Sequence, residues 1–256
     1  MLQNPLLDVW KREAVAYTGW LSIPSAWTAE VMAHAGYDAV VIDLQHGLMD
    51  AAGMLGMLQA IATTPVPSLV RVPWNEPSAL MRPLDAGAYG VICPMISTRA
   101  ECEAFVAACR YPPRGIRSFG PTRSLVSIGS DYVARAESFA LTFAQIETAE
   151  GLANVEAIAS VPGLTGLYVG PWDLSLGMGL PSLGNLLDED LLRACDTILE
   201  TALRHHLVAG IYTKSAEDGV RMASRGFRLV NIAIDSALLQ QGAAAEILKA
   251  RRFTES

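Results

Sequence analysis

Ala39-Val40-Val41-Ile42-Asp43-Leu44-Gln45-His46-Gly47 is an apolar, β-branched run that ends in a carboxylate, an amide, an imidazole and a glycine. Ala39–Leu44 reads as a short buried strand. Helical stretches flank it, Ser25–Ala35 before and Ala51–Thr63 after. The same rhythm runs along the chain. Strands are expected at Thr18–Ile23, Ser68–Val72, Gly90–Pro94, Leu141–Glu147, Gly166–Gly170, Val208–Tyr212 and Leu229–Ile234. Between and after them fall helices at Ser78–Ala86, Arg99–Arg110, Thr148–Ser160, Glu189–His205, Ala216–Arg225 and Ala237–Arg252. Strands alternating with amphipathic helices call for a parallel sheet. Eight such units in 256 residues match the size of a (β/α)8 barrel, the TIM barrel of the α/β class. The rival, a doubly wound open sheet, would carry a glycine-rich dinucleotide turn, and Gly177-Met178-Gly179 lacks its third glycine. No domain boundary is persuasive, so residues 1–256 are read as one barrel domain. The least regular stretch is Tyr111–Asp131, rich in Pro and Gly. Long irregular segments of this kind are often functional.

Composition narrows the class of partners. Hydrophobic residues make up 51% and charged residues 18%, which supports a sizeable core and excludes a disordered chain. The formal net charge is −7, which argues against a general grip on nucleic acid or an anionic membrane. No apolar window approaches the ~18 residues of a membrane span. Met1–Arg12 lacks the pattern of a signal peptide. Cys93, Cys102, Cys109 and Cys195 form no CxxC pair and read as reduced thiols, so a cytoplasmic protein is expected.

A barrel's strands point alternate residues inward, and its active site sits at their C-terminal ends. Ionisable residues collect at those ends. Asp43 and His46 fall at the second strand's exit, where a carboxylate can orient an imidazole. Arg71 sits within the third strand, where it would serve either a structural ion pair or a substrate oxygen. Gln145 and Glu147 share one face of the fifth strand by its period of two. Asp173 follows Gly170-Pro171-Trp172 at the sixth strand's exit. Either acid alone could cap a helix. Together, on adjacent strands, they suit a hard divalent cation such as Mg²⁺ or Mn²⁺. Zinc fits less well, because no Cys/His cluster has its spacing. Lys214 could form a Schiff base in principle, but it precedes a helix N-cap, Ser215, and reads as a rim residue.

These residues resemble the HpcH/HpaI aldolases, metal-dependent class II pyruvate aldolases. The resemblance is carried by Val41–Gly47, Leu69–Val72, Pro94-Met95, Arg110–Arg117, Gln145–Thr148 and Gly170–Ser175, in family order from about Gly19 to Asp235. It implies that Glu147 and Asp173 bind a divalent metal (Mg, Mn or Co). It implies that His46 is the general base, that Asp85 raises the basicity of His46, and that Asp43 is the nearby strand-end acid. Arg71 would stabilise enolate and carbonyl oxygens. Gln145 and the backbone around Gly170, Trp172 and Asp173 would hold the ketoacid carboxylate. The implied reaction is reversible retro-aldol cleavage of a 4-hydroxy-2-ketoacid, through a metal-stabilised enolate, to pyruvate or a related ketoacid such as hydroxypyruvate and an aldehyde. The implied assembly is a homo-hexamer, a trimer of dimers, with the last helix exchanged between subunits. The apolar Ser236–Leu248 segment fits that expectation.

The chain departs from the family in two places near the site. Many members have Glu where Gln45 stands and Ala where Trp172 stands. Gly120–Ala134 does not closely match the diacid-cleaving members, so their acceptor preference is not carried over. Two other functions stay open on sequence. One is an oxaloacetate decarboxylase or another enolate-condensing enzyme on the same scaffold. The other is a non-catalytic barrel that binds a ketoacid or a metal.

Overall fold

The computed structural model describes residues 4–254. Eight strands form a closed parallel barrel: β1 (Ala16–Leu21), β2 (Ala39–Asp43), β3 (Ser68–Arg71), β4 (Gly90–Cys93), β5 (Leu141–Ile146), β6 (Gly166–Val169), β7 (Val208–Ile211) and β8 (Leu229–Ile234). Each pairs with the next, and β8 closes onto β1 with a register shift between Thr18 and Gly19. Every expected strand is present, and its ends fall within two residues of the sequence reading. Most strands end one residue early. Leu44, Val72, Pro94, Glu147, Gly170 and Tyr212 have already left the ladder for the loops at the barrel mouth.

The alternation of side chains builds two apolar layers. Val41, Leu69, Ile92, Phe143 and Tyr168 fill the barrel interior together with Trp20. Their neighbours Val40, Ile42 and Val70 pack outward against the helix Ala51–Ile61. Ala144, Ile146, Leu167 and Val169 do the same beneath the helices Arg99–Cys109 and Glu189–Arg204. This parity places the site. Asp43 lies two residues beyond Val41, Arg71 two beyond Leu69, Gln145 two beyond Phe143, and Gly170 two beyond Tyr168. These four inward-facing rows therefore end in a polar residue or a glycine at the C-terminal mouth.

Local signals set most helix boundaries. The Asp50 side chain caps Ala51–Ile61 by accepting from the Gly53 N–H at 2.8 Å. Thr98 and Glu101 form a capping box at the start of Arg99–Cys109. Thr148–Ser160 is not the continuous helix expected. It breaks into Ala149–Ala153 and Val155–Ala159. The intervening Asn154 leaves helical geometry and donates its side-chain amide to the Ser97 carbonyl at 2.9 Å. The irregular stretch also gives way to a helix the sequence reading did not contain, Tyr132–Phe139. Its anchor is Arg117, fully buried, which donates to the Tyr132 hydroxyl at 3.0 Å and to Asp85 Oδ1 at 2.7 Å.

The last helix, Asp235–Thr254, stands apart from this packing. From Leu238 to Phe253 its residues are exposed, including Leu238, Leu239, Ile247, Leu248 and Phe253. No helix among the described residues is long and apolar enough to cross a membrane.

Candidate active site

At the barrel mouth lies a cavity of about 220 Å³. Asp43, His46, Arg71, Gln145, Glu147, Gly170, Trp172 and Asp173 all line it. The volume falls below the ~300 Å³ lower range of pockets for drug-sized ligands, so the cavity suits a small metabolite.

Its floor is an ion pair. Arg71 donates from Nε to Asp43 Oδ1 at 2.9 Å and from Nη2 to Asp43 Oδ2 at 2.6 Å. Trp20 Nε1 donates to the same Oδ2 at 3.0 Å, and the Arg71 guanidinium lies 5.0 Å from the Trp20 ring centroid. Burial alone would raise the Asp43 carboxyl, but the Arg71 hydrogen bonds and charge outweigh it and hold the group below its usual range. Asp43 Oδ1 also accepts from the backbone N–H groups of Gln45 at 3.0 Å and His46 at 3.2 Å. This corrects the expectation that Asp43 orients the His46 imidazole. Arg71, Trp20 and two backbone amides engage both its oxygens, so it shapes the turn that carries His46, while the exposed ring faces the cavity.

The opposite wall holds the carboxylates. Glu147 is 1% exposed. Its Oε1 accepts from the Met95 N–H at 2.8 Å, and its Oε2 accepts from Gln145 Nε2. Met95 adopts φ +58°, a left-handed conformation uncommon outside glycine, at the turn that aims this N–H. Burial pushes the Glu147 carboxyl up to about 7, the Asp173 charge adds to the rise, and the two hydrogen bonds only partly oppose it. Asp173 is exposed and lies inside the first turn of the helix Pro171–Gly177. Gly170, not Asp173, occupies the N-cap, and no side chain caps this helix, so the capping role left open for Asp173 is not the one it fills. A Cβ at position 170 would crowd the Glu147 carboxylate and the Gln145 amide, so glycine leaves these two side chains where they are.

Asp85 does not line this cavity. Its carboxylate pairs with Arg117, and it borders a separate surface groove with Arg82, Gly120 and Arg123. Within one chain the fold therefore places Asp85 away from His46. Other wall residues carried no site signal in the sequence: Trp20, Ser22, Tyr168 and Tyr212. Period-two counting from the strand ends would have found Trp20, Tyr168 and Tyr212, but aromatic residues there read equally as core. Tyr168 and Gln145 each keep one buried oxygen, Oη and Oε1, without a hydrogen-bond partner.

The donor set fits a hard divalent cation. Glu147 and Asp173 bring two negative charges to one cavity, one of them deeply buried, and their mutual repulsion raises Glu147. A bound cation would relieve that repulsion. Among the described residues no three His, Cys, Asp or Glu side chains gather to hold a metal alone, so water or ligand oxygens would complete the coordination.

A parallel (β/α)8 barrel with carboxylates, an arginine and an imidazole at its C-terminal mouth defines a barrel enzyme built to stabilise negative charge on a small substrate. Comparison with known proteins makes the class specific. The chain belongs to the HpcH/HpaI aldolase/citrate lyase family, whose model matches residues 17–241, and it is a lyase of the aldolase class. It is 39% identical over 248 residues to a hydroxypyruvate/pyruvate aldolase of Rhizorhabdus wittichii, covering 97% of this chain and 99% of that protein. It is 34% identical over 258 residues to a 4-hydroxy-2-oxo-heptane-1,7-dioate aldolase of Klebsiella pneumoniae, covering 100% of this chain and 96% of that protein. A crystal structure of a family member from Burkholderia cenocepacia superposes with a TM-score of 0.88 at 30% identity, covering 97% and 100% of the two chains.

Proposed function

We propose that this enzyme cleaves 4-hydroxy-2-ketoacids reversibly into pyruvate or hydroxypyruvate and an aldehyde, with a divalent metal as cofactor. The observation that carries the reading is the convergence of Arg71, His46, Glu147 and Asp173 on one small cavity. The relatives named as aldolases support the same reaction over decarboxylation or ligand binding without catalysis.

Glu147 and Asp173 would hold the metal, with Mg²⁺, Mn²⁺ and Co²⁺ as candidates and zinc the poorer fit. When bound, the metal supplies a Lewis acid that polarises the ketoacid carbonyl. Gln145 and the backbone from Gly170 to Asp173 would receive the ketoacid carboxylate. Arg71, fixed by Asp43, presents positive charge where negative charge develops on the ketoacid oxygen. His46 takes the proton from the C4 hydroxyl as the C3–C4 bond breaks, directly or through water, and returns it in synthesis. Asp43 acts by positioning Arg71 and the His46 turn.

Two further statements belong to this proposal. The exposed apolar side of Asp235–Thr254 supports exchange of this helix between subunits and assembly into a trimer of dimers. The four free, buried thiols support a cytoplasmic location.

The test is deuterium exchange into the methyl group of pyruvate, followed by NMR on metal-stripped protein reloaded with Mg²⁺, Mn²⁺ or Co²⁺. Metal-dependent exchange that disappears in Glu147→Ala is expected. Absence of exchange with every metal, and with hydroxypyruvate in place of pyruvate, would put the non-catalytic binding barrel in its stead.

A further inference from the structure

We infer that Tyr168 chooses the nucleophilic ketoacid: its hydroxyl hydrogen-bonds the C3 hydroxyl of hydroxypyruvate and so favours that ketoacid over pyruvate. The inference rests on the aldolase reading above and deepens it, since that reading leaves the two ketoacids equal.

Tyr168 lines the cavity and is fully buried. Its ring is wedged between neighbouring elements. Its register partner on β7 is Gly210, where a Cβ would come within 2.4 Å of the ring edge. Trp20 on β1 limits it from another side, with ring centroids 6.0 Å apart. The glycine makes room for the ring and the indole restricts its swing, so the hydroxyl is held in one place. The charges that act on it are those of Arg71, Asp43 and Tyr212, which sets it on the Arg71 side of the cavity. Burial pushes the phenol well above its ordinary range, so the group stays a neutral O–H that can donate.

That O–H has no partner. Among the described residues, the cavity-lining side chains that keep a buried polar atom unpartnered are Tyr168, at Oη, and Gln145, at Oε1. The two residues are register partners across β5 and β6. Gln145 Nε2 donates to Glu147, which fixes the orientation of the amide and leaves Oε1 free. An unmet buried donor beside an unmet acceptor is costly. A hydroxyl is the small group that answers both, accepting from Tyr168 and donating to Gln145.

The two ketoacids differ in that one group. Their carboxylate and keto oxygens are alike, and the metal, Gln145 Nε2, the backbone from Gly170 to Asp173 and Arg71 account for them. Pyruvate then presents a methyl group to Tyr168, and hydroxypyruvate presents a hydroxyl. A site built to hydrogen-bond a substrate hydroxyl rejects the analogue that lacks it, because its own polar group is left unmet.

The test is calorimetry on the Mn²⁺-loaded protein with hydroxypyruvate and 2-oxobutanoate, whose C3 substituents, a hydroxyl and a methyl, are nearly the same size. The wild type is expected to bind hydroxypyruvate about tenfold more tightly. Tyr168→Phe is expected to cut that ratio to about twofold or less, and Tyr212→Phe, which removes the neighbouring phenol, to leave it intact. The same fall in Tyr168→Phe is expected in the kcat/KM ratio of hydroxypyruvate over pyruvate with a single aldehyde. Tyr168→Phe keeps the ring and removes an unmet hydroxyl, so the metal-free variant is expected to melt no lower than the wild type. A lower melting temperature would show that the hydroxyl serves the fold and would overturn the inference. So would equal binding of the two acids by the wild type, a ratio unchanged in Tyr168→Phe, or a ratio lost in Tyr212→Phe alone. Failure of both acids to bind would remove the ketoacid site and this inference with it. That outcome is distinguishable because the shared head group, not the C3 substituent, is what is lost.

Discussion

Arg71 and Asp43 face each other across adjacent strands, in register in the β2–β3 pairing, and form two parallel hydrogen bonds of 2.9 and 2.6 Å. The pair is nearly dry, with side-chain exposures of 11% and 4%. Removing one charge leaves the other uncompensated. Asp43→Asn is expected to destabilise the fold by about 3 kcal/mol and to lower kcat/KM by about 100-fold, since Arg71 loses its aim. Chemical denaturation and steady-state kinetics measure the two effects. Arg71→Lys is expected to recover stability better than activity, because a lysine cannot reproduce the bidentate fork.

Glu147 gives the metal-free protein a pH dependence whose sign is fixed. Its folded carboxyl sits at about 7, above the ordinary 4.5. Between those values the folded chain keeps a proton that the unfolded chain has released, so this group's contribution to stability falls as pH rises through the window. Metal binding needs the carboxylate, so metal affinity is expected to rise with pH up to about 7 and then level off. Thermal unfolding of metal-free protein at pH 5 and pH 8, beside Glu147→Gln, isolates the first effect. Calorimetric metal titrations in two buffers of different ionisation enthalpy count the released proton.

His46 is exposed and its backbone, not its ring, is tied to Asp43. His46→Ala is therefore expected to leave the melting temperature almost unchanged while kcat for aldol cleavage falls by about 100-fold or more. A large loss of stability in this variant would show that the ring is structural.

Arg117 is fully buried, bonded to Asp85 and Tyr132, and stacked 4.5 Å over the Tyr111 ring. It ties the irregular segment after Tyr111 to the end of the helix Pro77–Asp85. Arg117→Met is expected to cost about 3–5 kcal/mol, because it strands Asp85 beside a cavity. Limited proteolysis should then cut first between residues 111 and 131.

The exposed side of Asp235–Thr254 predicts assembly. Leu239→Glu combined with Ile247→Glu is expected to shift the molecular mass seen by light scattering toward smaller species. The single chain should keep its far-ultraviolet circular dichroism, since neither side chain packs on its own barrel. An unchanged mass would place the subunit contacts elsewhere.

Most of the fold was legible from local pattern. β-branched runs of the right length, spaced by amphipathic helices, leave few alternatives to a closed parallel sheet. Gln145 and Glu147 were placed on one face by the strand's period of two, and the structure joins them by a hydrogen bond. What failed were interactions over long sequence separation. Asn154 breaks a helix because Ser97 accepts its amide from another element. Asp43 serves Arg71 and Trp20 because strand pairing brings both within hydrogen-bond reach. The pairing of Asp85 with Arg117 was not read from the sequence either, because Arg117 lies in the irregular segment that no local pattern resolves.

The sequence by itself determined the barrel, its strand order and the set of polar residues at its mouth, because periodicity and chain order are local and the parallel crossover has one favoured hand. Only the tertiary structure decided which of those residues touch. Closure of the barrel sets the register between strands, and register decides that Arg71 meets Asp43, that Met95 meets Glu147, and that Lys214 lies over Trp172.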